Sequence, residues 1–273
     1  MSDTLTLAPF SPGHLPGALA LSQAERWPHR AEDWAQFLSL SQGVVALVDG
    51  QVAGTALLTR FGHVGLVNMI IVGAPLRGRG LGRRLVEAAM ATADLPEYRL
   101  TATEAGLPLY RKMGFVPTGT VVQHQGHVAP LAVPPHTEWA STADSAALVA
   151  MDRIATGMDR APLIAALLAQ GRIAVLRDGD RQGWAGIRAF GRGLVAGPVI
   201  ASDADTARVL LTRVMADHPG AFLRVDTQTD SGLSPWLEEL QLTRAGGGIA
   251  MSTADRPHAA PTRSFALAAQ AFG

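Results

Sequence analysis

A strand, a glycine-rich loop and a helix follow one another in LVNMIIVGAPLRGRGLGRRLVEAAM, residues 66–90. The apolar run up to Val72 predicts a buried strand, Pro75 ends it, and an amphipathic helix follows the loop. Three loop glycines lack side chains, so successive main-chain N–H groups can point into one concavity at the start of the helix. This arrangement suits a phosphate or pyrophosphate. The glycines are Gly78, Gly80 and Gly82, and Arg77 and Arg79 are additional donors.

The spacing of these residues separates three kinds of phosphate-binding loop. A Walker loop needs Lys and then Ser or Thr after its last glycine, whereas Arg83 and Arg84 follow Gly82. A dinucleotide fingerprint that starts at Gly78 needs glycine at position 83, and it opens a fold instead of following several strands. The pattern that remains is Arg77-x-x-Gly80-x-Gly82, directly after a strand and at the start of a helix.

That pattern resembles the signature of the GNAT superfamily of acyl-CoA-dependent N-acyltransferases: Gln or Arg, two residues, Gly, one residue, then Gly or Ala. The sequence Leu109-Tyr110-x-x-x-Gly114-Phe115 resembles the second GNAT motif, a short helix followed by Gly-Phe at the next strand. The resemblance covers most of the N-terminal half, including helical stretches at 14–22 and 31–39 that normally cover the acceptor site. The whole chain resembles bacterial two-lobed GNAT proteins whose second lobe is a degenerate copy.

The resemblance implies that acetyl-CoA binds as co-substrate, without a metal, in the first lobe. The strand that ends at Ile70, Ile71 and Val72 is expected to splay from its neighbour and to offer main-chain groups to the pantetheine arm and the thioester carbonyl. The amides of the loop are expected to hold the pyrophosphate. An ordinary core strand and a turn that caps a helix are the competing interpretations. The loop residues are Arg77, Gly78, Arg79, Gly80, Leu81 and Gly82.

Tyr110 is the first catalytic candidate, because the resemblance places this phenol near the cofactor sulfur, where it can protonate the departing thiolate. A core tyrosine with a main-chain partner is the alternative. Glu104, after the fifth strand, is the second candidate, as the base that accepts the amine proton. Several other residues are of a suitable type for that base: Glu25, Glu32, Asp33, His63 and His124.

An internal repeat predicts two copies of one α/β unit, each with a mixed sheet. Residues 43–73 and 171–202 share an apolar run, an Asp-Gly turn, a second run, a Phe-Gly pair and a third run. A helix, a short strand, a short helix and another strand follow each set. The proline-containing connector LAVPPHT, residues 131–137, predicts a boundary between an N-terminal GNAT domain at 1–133 and a degenerate GNAT-like domain at 134–273.

The second copy lacks the glycine-rich loop. It has SDADTARV, residues 202–209, where the first copy has APLRGRGLG, and Asp203 places a negative charge where a pyrophosphate would lie. Only the N-terminal lobe is therefore expected to bind acyl-CoA, while Ser202 or Asp203 caps the following helix. The apolar end of the chain, residues 263–273, is expected to dock on a lobe.

Composition excludes several other classes of function. Lys plus Arg equals Asp plus Glu at 23 each, so no excess charge of one sign attracts nucleic acid. With no cysteine, the chain has no disulfide, no thiolate ligand and no cysteine-bound acyl intermediate. His124 and His127 flank a predicted hairpin turn, and no further ligands near them indicate a metal. No secretory signal or run of 18 apolar residues is visible, which predicts a soluble, cytoplasmic protein away from the membrane.

The leading hypothesis is therefore an N-acetyltransferase that moves acetyl from acetyl-CoA directly to a primary amine in a ternary complex. The acceptor is a small molecule or a peptide. A non-catalytic acyl-CoA sensor, and an enzyme that acetylates a protein N-terminus or lysine, are the alternatives. The second lobe completes an acceptor pocket, binds a regulator or mediates a homodimer.

Overall fold

The computed structural model describes residues 5–179, 181–254 and 260–273, and within these ranges the two halves repeat one order of elements. The first half contains β1 (Leu5–Pro9), α1 (Leu15–Ala24), α2 (Ala31–Leu40), β2 (Ser41–Val48), β3 (Gln51–Phe61), β4 (Val64–Val72), α3 (Leu81–Met90), β5 (Glu97–Ala102), α4 (Leu107–Lys112) and β6 (Val116–His127). The second contains β7 (Thr137–Trp139), α5 (Ser145–Thr156), α6 (Ala161–Gln170), β8 (Arg172–Asp178), β9 (Arg181–Phe190), β10 (Gly193–Ala201), α7 (Ala204–Ala216), β11 (Phe222–Gln228), α8 (Ser234–Glu239) and β12 (Thr243–Ser252), and β13 (Arg263–Ala266) follows. Of the helices described, none combines the length and apolarity needed to cross a lipid bilayer.

The Asp-Gly turn of the first half forms as the repeat predicts. Asp49 and Gly50 have φ values of +47° and +80°, and they join β2 to β3 as a two-residue hairpin with Val48 opposite Gln51. The predicted Asp178-Gly179 turn is wrong by one residue, because Asp178 belongs to β8 and pairs with Arg181, while Gly179 follows it with φ +59°. Both glycines supply a conformation that a larger side chain disfavours.

The last strands of the two halves are exchanged. Across the described residues the strands form one sheet in the order β1-β2-β3-β4-β5-β12-β6-β11-β13-β10-β9-β8-β7. Strand β12, from the second half, lies between β5 and β6, and β6, from the first half, pairs along β11. The hairpin turn predicted at His124 and His127 is therefore wrong, because both residues belong to the continuous strand β6 and its partners are long-range.

The predicted boundary at residues 133 and 134 falls in the stretch between β6 and β7 that has neither helix nor strand. The exchange means that each half completes its sheet with a strand of the other. The division of the chain into an N-terminal domain at 1–133 and a C-terminal domain at 134–273 therefore stays a prediction.

An aromatic core joins the two lobes under α1, α2, α5 and α6. Phe37 lies at its centre, with ring centroids 5.1 Å from Phe272, 6.3 Å from Phe190 and 6.4 Å from Trp34. Phe61 also packs against Phe272. The core thus includes both halves and the end of the chain, and burying these rings stabilises the lobes against each other.

The two Phe-Gly turns of the repeat dock reciprocally on the opposite lobe. The N–H of Gly191 donates to Asp33 Oδ2 at 2.9 Å, and a Cβ at Gly191 would lie 3.2 Å from Pro28 O. In the first lobe Phe61 O accepts from the N–H of Asp159 at 3.4 Å, and Gly62 packs against Asp159 in the same way. Glycine at both turns permits this close approach.

A buried arginine holds the end of the chain in place. The apolar composition of residues 263–273 predicted that this segment docks on a lobe. Arg160 Nε and Nη2 donate to the two carboxylate oxygens of Asp152 at 3.0 and 2.6 Å, and Nη1 donates to the main-chain oxygens of Phe272 and Gly273. Arg160 and Asp152 are fully buried, so the bidentate geometry offsets the cost of burying the two charges.

Replacing Gly247 by Ala tests the strand exchange. Gly247 lies in the β12–β6 bulge at φ +149°, and a Cβ there would lie 2.0 Å from Val121 O. We expect the free energy of unfolding in urea to fall by at least ~2 kcal/mol. The matched control is Gly119→Ala on β6, where nothing lies within 4 Å of the added carbon. Equal stability of both variants and the wild type would contradict the pairing.

Candidate functional site

The site begins where β4 and β5 separate. These parallel strands pair only through Val64, Gly65 and Leu66 of β4, opposite residues 97–99 of β5. Beyond Leu66 the edge of β4 that faces β5 has no strand partner, while the other edge of β5 pairs with β12. The predicted splay is present, and its main-chain groups face a cleft.

A bulge in β4 lies beside this cleft. Met69 has φ +48°, and the register with β3 shifts between the pairs Thr55–Ile71 and Leu57–Asn68. Thr55 Oγ1 donates to Met69 O at 2.7 Å and holds the bulge. Ile70, Ile71 and Val72 follow the bulge and line the cavity described below, as do Asn68 and Met69.

The loop after β4 presents free main-chain donors. Gly78 and Gly80 have φ values of +75° and +77°, and no atom lies within 4 Å of a Cβ built at either residue. None of the N–H groups from Gly78 to Arg83 donates a hydrogen bond to a described residue, and α3 begins at Leu81 with no side-chain cap. A helix start with unsatisfied N–H groups beside open space is a site for an anion.

The two arginines expected as additional donors do not join this group of free amides. The N–H of Arg77 donates to Ala74 O, and its guanidinium donates to Val72 O at 3.0 Å and to the carboxylate of Glu25. Arg77 therefore ties the loop to the end of α1. Arg79 is exposed and lies outside the cavity lining, so the free donors begin at Gly78.

Tyr110 lies across the cleft from β4, on α4. Its ring is 7% exposed and packs on the main chain of Gly106 and edge-on to Phe115. Its hydroxyl makes no hydrogen bond to any described residue. Burial raises the pKa of Tyr110 to about 12, so the phenol is protonated at neutral pH.

Tyr98 is the contrasting case. Its hydroxyl donates to the main-chain oxygens of Ala93 and Met90 and accepts from the N–H of Leu95. Of the chain's two tyrosines, Tyr98 is thus the structural one. Tyr110 instead presents a free hydroxyl to the cavity.

One cavity of about 990 Å³ connects these features and continues into the second lobe. One half lies along β4, the loop and α4. The other half lies between the α1–α2 connection and the second lobe; we call this half the acceptor chamber, and it is lined by Trp27, Pro28, His29, Phe37, Gln123, Phe190, Arg224, Ala245–Gly247 and Ala269–Ala271. The exchanged strand β12 and the docked chain end therefore both contribute to the wall.

The candidate bases are scattered. Glu25 lines the cavity but pairs with Arg77, and Asp33 is buried between Arg30 and the N–H of Gly191. Glu104 lies in the exposed turn after β5, outside the cavity lining. Glu32 and His63 are exposed, and His124 is buried within β6, also outside the lining.

His29, in the connection between α1 and α2, is a residue that the sequence analysis did not single out. Its ring lies edge-on to Trp27, Phe37 and Phe190, and its buried Nδ1 has no partner. Burial, followed by the charge of Arg224, lowers the pKa of His29 to about 4, so this imidazole is neutral at neutral pH. Its position beside Trp27 and before the second helix was the available signal; its contact with Phe190 depends on the tertiary structure.

The second lobe closes its corresponding helix start with its own side chain. Asp203 Oδ1 accepts from the N–H of Thr206 at 2.7 Å, as the capping prediction expected. This hydrogen bond holds the pKa of Asp203 below its usual value, so a carboxylate occupies the equivalent position. Among the described residues no cluster of three metal-ligating side chains is present.

Comparisons with known proteins agree with this architecture. Two family models, both described as an acetyltransferase (GNAT) domain, match residues 39–117 and 148–266. The chain is 30% identical over 231 residues to the uncharacterized N-acetyltransferase YitH of Bacillus subtilis, covering 80% of each chain.

Solved structures show the same fold at low sequence identity. A candidate acetyltransferase from Pyrococcus horikoshii has a TM-score of 0.84 at 15% identity, covering 98% of this chain and 96% of that one. A GCN5-related N-acetyltransferase from Sphaerobacter thermophilus has a TM-score of 0.62 at 16% identity, covering 94% and 97%. The two-lobed arrangement is thus shared along nearly the whole length of these chains.

The lowered pKa of His29 predicts a loss of stability in acid. Below the unfolded-state pKa of about 6.5, the unfolded chain binds a proton at His29 that the folded chain does not bind. The free energy of unfolding is therefore unaffected by His29 above pH 6.5 and falls towards pH 4. Between about pH 7.5 and about pH 5 the loss due to His29 is about 2 kcal/mol. The free energy of unfolding of His29→Gln, measured in urea at the two pH values, should therefore fall by about 2 kcal/mol less than that of the wild type. His63→Gln, at an exposed position, should follow the wild type; parallel curves for all three proteins would contradict the assignment.

Proposed function

The chain belongs to the GNAT acetyltransferase family, and from that premise we propose that it transfers acetyl from acetyl-CoA directly to an amine held in the acceptor chamber. The observation that supports this most is that three features of the site lie along the same cavity. Free loop amides, the unpaired edge of β4 and an unpartnered phenol line one cavity, and the rest of that cavity is open to a second substrate.

The residues of the first lobe fit acetyl-CoA. The N–H groups from Gly78 to Gly82 hold the pyrophosphate. The space beside these groups is open because Gly78 and Gly80 have no side chains to fill it. The unpaired main chain of Ile70, Ile71 and Val72 pairs with the pantetheine arm, much as a strand would. A main-chain N–H near Ile71 or Val72 stabilises the negative charge that develops on the thioester oxygen.

Tyr110 is the general acid in this proposal. Its raised pKa keeps the phenol protonated until the thiolate leaves, and its hydroxyl has no competing protein partner. This hydroxyl faces the cavity and bonds to no described residue, so it is available to the departing thiolate, which favours an enzyme over a non-catalytic sensor.

The amine proton requires no dedicated side chain in this proposal. Glu104, the expected base, gains no support from its exposed position. Among the described residues that line the acceptor chamber none is a carboxylate, so desolvation there lowers the pKa of a bound ammonium. The acceptor then reacts as the free amine after its proton passes to water.

The second lobe supplies a wall of the acceptor chamber and no second cofactor site. Asp203 already satisfies the helix start of α7 and would repel a pyrophosphate there. One acetyl-CoA per chain is therefore expected in calorimetry, together with thiol release when a suitable amine is added. Tight binding without turnover on any amine would support the sensor alternative.

Gly80→Asp tests the pyrophosphate site. The new carboxylate lies next to the bound phosphates, so the affinity for acetyl-CoA in calorimetry should fall on the order of 10²–10³-fold. Gly220→Asp is the matched control, because Gly220 has φ +79° and an equally open environment in the second lobe, outside the cavity lining. Unchanged affinity in Gly80→Asp would refute the site.

Tyr110→Phe tests the acid. The substitution keeps the ring packing on Gly106 and Phe115 and removes the proton, so kcat should fall on the order of 10²-fold with little change in acetyl-CoA affinity. Tyr98→Phe should show the reverse pattern, with lower stability and unchanged kcat, because its hydroxyl is used only in the fold. Full activity of Tyr110→Phe would remove the proposed role.

A further inference from the structure

The acceptor chamber contains one charged side chain whose partners leave it only partly satisfied. Arg224 lies on β11 opposite Gln125 of β6, and Asp226 lies opposite Gln123. Leu223 and Val225, between and beside them, are buried in the core under α7 and α8. Because side chains alternate along a strand, Arg224 and Asp226 share the opposite face, where Arg224 meets the cavity.

The hydrogen bonds of Arg224 leave one edge of its guanidinium available. Nε and Nη2 both contact Asp226 Oδ2, at 2.9 and 2.8 Å, and Nη1 makes no hydrogen bond to a described residue. The Arg224 side chain is only 13% exposed. Asp226 is fully buried, and its Oδ1 accepts from Gln270 Nε2 at 3.2 Å. The pair is therefore held rigidly, with Nη1 as the donor left for a ligand.

The charges around the chamber do not balance. The guanidinium carbons of Arg188 and Arg224 lie 4.8 and 5.4 Å from the ring centroid of Phe190. Arg188 is 4% exposed, its Nε has no partner, and its other donors reach only main-chain oxygens. Asp226 offsets one of the two positive charges.

The surrounding ionised groups do not remove this excess. Asp33 is paired with Arg30, and Glu25, the cavity's lining carboxylate, is paired with Arg77 at the far end. One buried positive charge remains uncompensated beside the chamber, which is costly without an anion.

We propose that the acceptor is an amino carboxylate whose carboxylate binds at Arg224 Nη1, with the amide groups of Gln270 and Gln123 beside it. This inference rests on the proposed function and names its substrate class. A single excess positive charge matches a monoanion, and a guanidinium edge binds a carboxylate through charge-assisted hydrogen bonds. Both lobes are then needed for specificity, because the reacting thioester lies in the first and the anchor in the second.

The transfer balances without any other reactant. The free amine nitrogen forms a bond to the acetyl carbon, and the carbon–sulfur bond breaks. The thiolate takes the proton of Tyr110, and the nitrogen loses one proton, which restores the phenol through water. The products are the N-acetylamino carboxylate and coenzyme A, and the carboxylate stays bound to Arg224 throughout.

Bisubstrate probes test the anchor independently of the acceptor's full identity. Each probe joins the sulfur of coenzyme A through a –CH2–CO– bridge to glycine, β-alanine or γ-aminobutyrate, and its control is the same compound with a terminal carboxamide. We expect the carboxylate to bind at least ~10-fold more tightly than its carboxamide for at least one chain length in calorimetry. Equal affinities at all three lengths would overturn the proposal.

Variants assign that gain to Arg224. Arg224→Gln alone would leave the buried Asp226 unpaired, so the test uses the neutral pair Arg224→Gln with Asp226→Asn, checked by thermal unfolding. This double variant should bind coenzyme A as the wild type does and lose the carboxylate gain. Arg60→Gln, at an exposed position outside the cavity, should keep it.

The outcomes separate this inference from the proposed function. A carboxylate gain that survives in the double variant overturns the anchor. Loss of the gain without loss of coenzyme A affinity supports it. Failure of the wild type to bind coenzyme A itself refutes the proposed function, whereas bound coenzyme A with no carboxylate preference refutes only the anchor.

Discussion

The pairing of β5 with β12 is the interaction on which the rest of the structure depends. Strand β5 pairs with β4 over only three residues, so beyond Arg99 the edge of β5 that faces β4 has no strand partner and forms a wall of the cleft. Strand β12 pairs along the opposite edge, from Arg99 to Ala102, and holds β5 in the sheet there. Because β12 belongs to the second half, the cleft and the association of the lobes have one structural basis. Removing the second lobe would expose β5 and open the cavity.

The two lobes show how one fold satisfies a helix start in two ways. In both, a helix follows the third strand of the repeat, and its first N–H groups and its dipole favour a negative charge. The first lobe leaves that place open beside Gly78 and Gly80, whereas the second fills it with the carboxylate of Asp203. An internal cap stabilises the fold at once, but it excludes an external anion. The proposed difference in function between the lobes thus needs only a few side chains.

Polar groups at the core divide between those whose hydrogen bonds serve the fold and those that we propose for ligand binding. Arg160 is saturated by Asp152 and by the end of the chain, and the Tyr98 hydroxyl is saturated by main-chain oxygens. Tyr110 and Arg224 each retain an unused donor at the cavity. Both donors line one cavity, where a ligand can reach them, and this position connects the fold with its proposed chemistry.

Much of the local organisation was readable from the sequence. The first Asp-Gly hairpin, the glycine-rich loop, the capping of α7 by Asp203 and the docking of the last residues all follow from conformational preference or composition over a few neighbouring residues. The repeat and the two motifs likewise predicted the family. Such signals are local, because they depend on which backbone angles, caps and apolar faces a short segment prefers.

The tertiary structure alone decided which distant segments meet. The exchange of β6 and β12 turned a predicted hairpin at His124 into a continuous strand, since strand pairing depends on long-range partners that composition does not specify. It also placed Arg224 opposite the first lobe's cleft and left Glu104 on the surface. The sequence by itself determined which residues can bind a phosphate or donate a proton. Only folding determined which of them share a cavity, because shared burial and charge arise from packing between segments far apart in the chain.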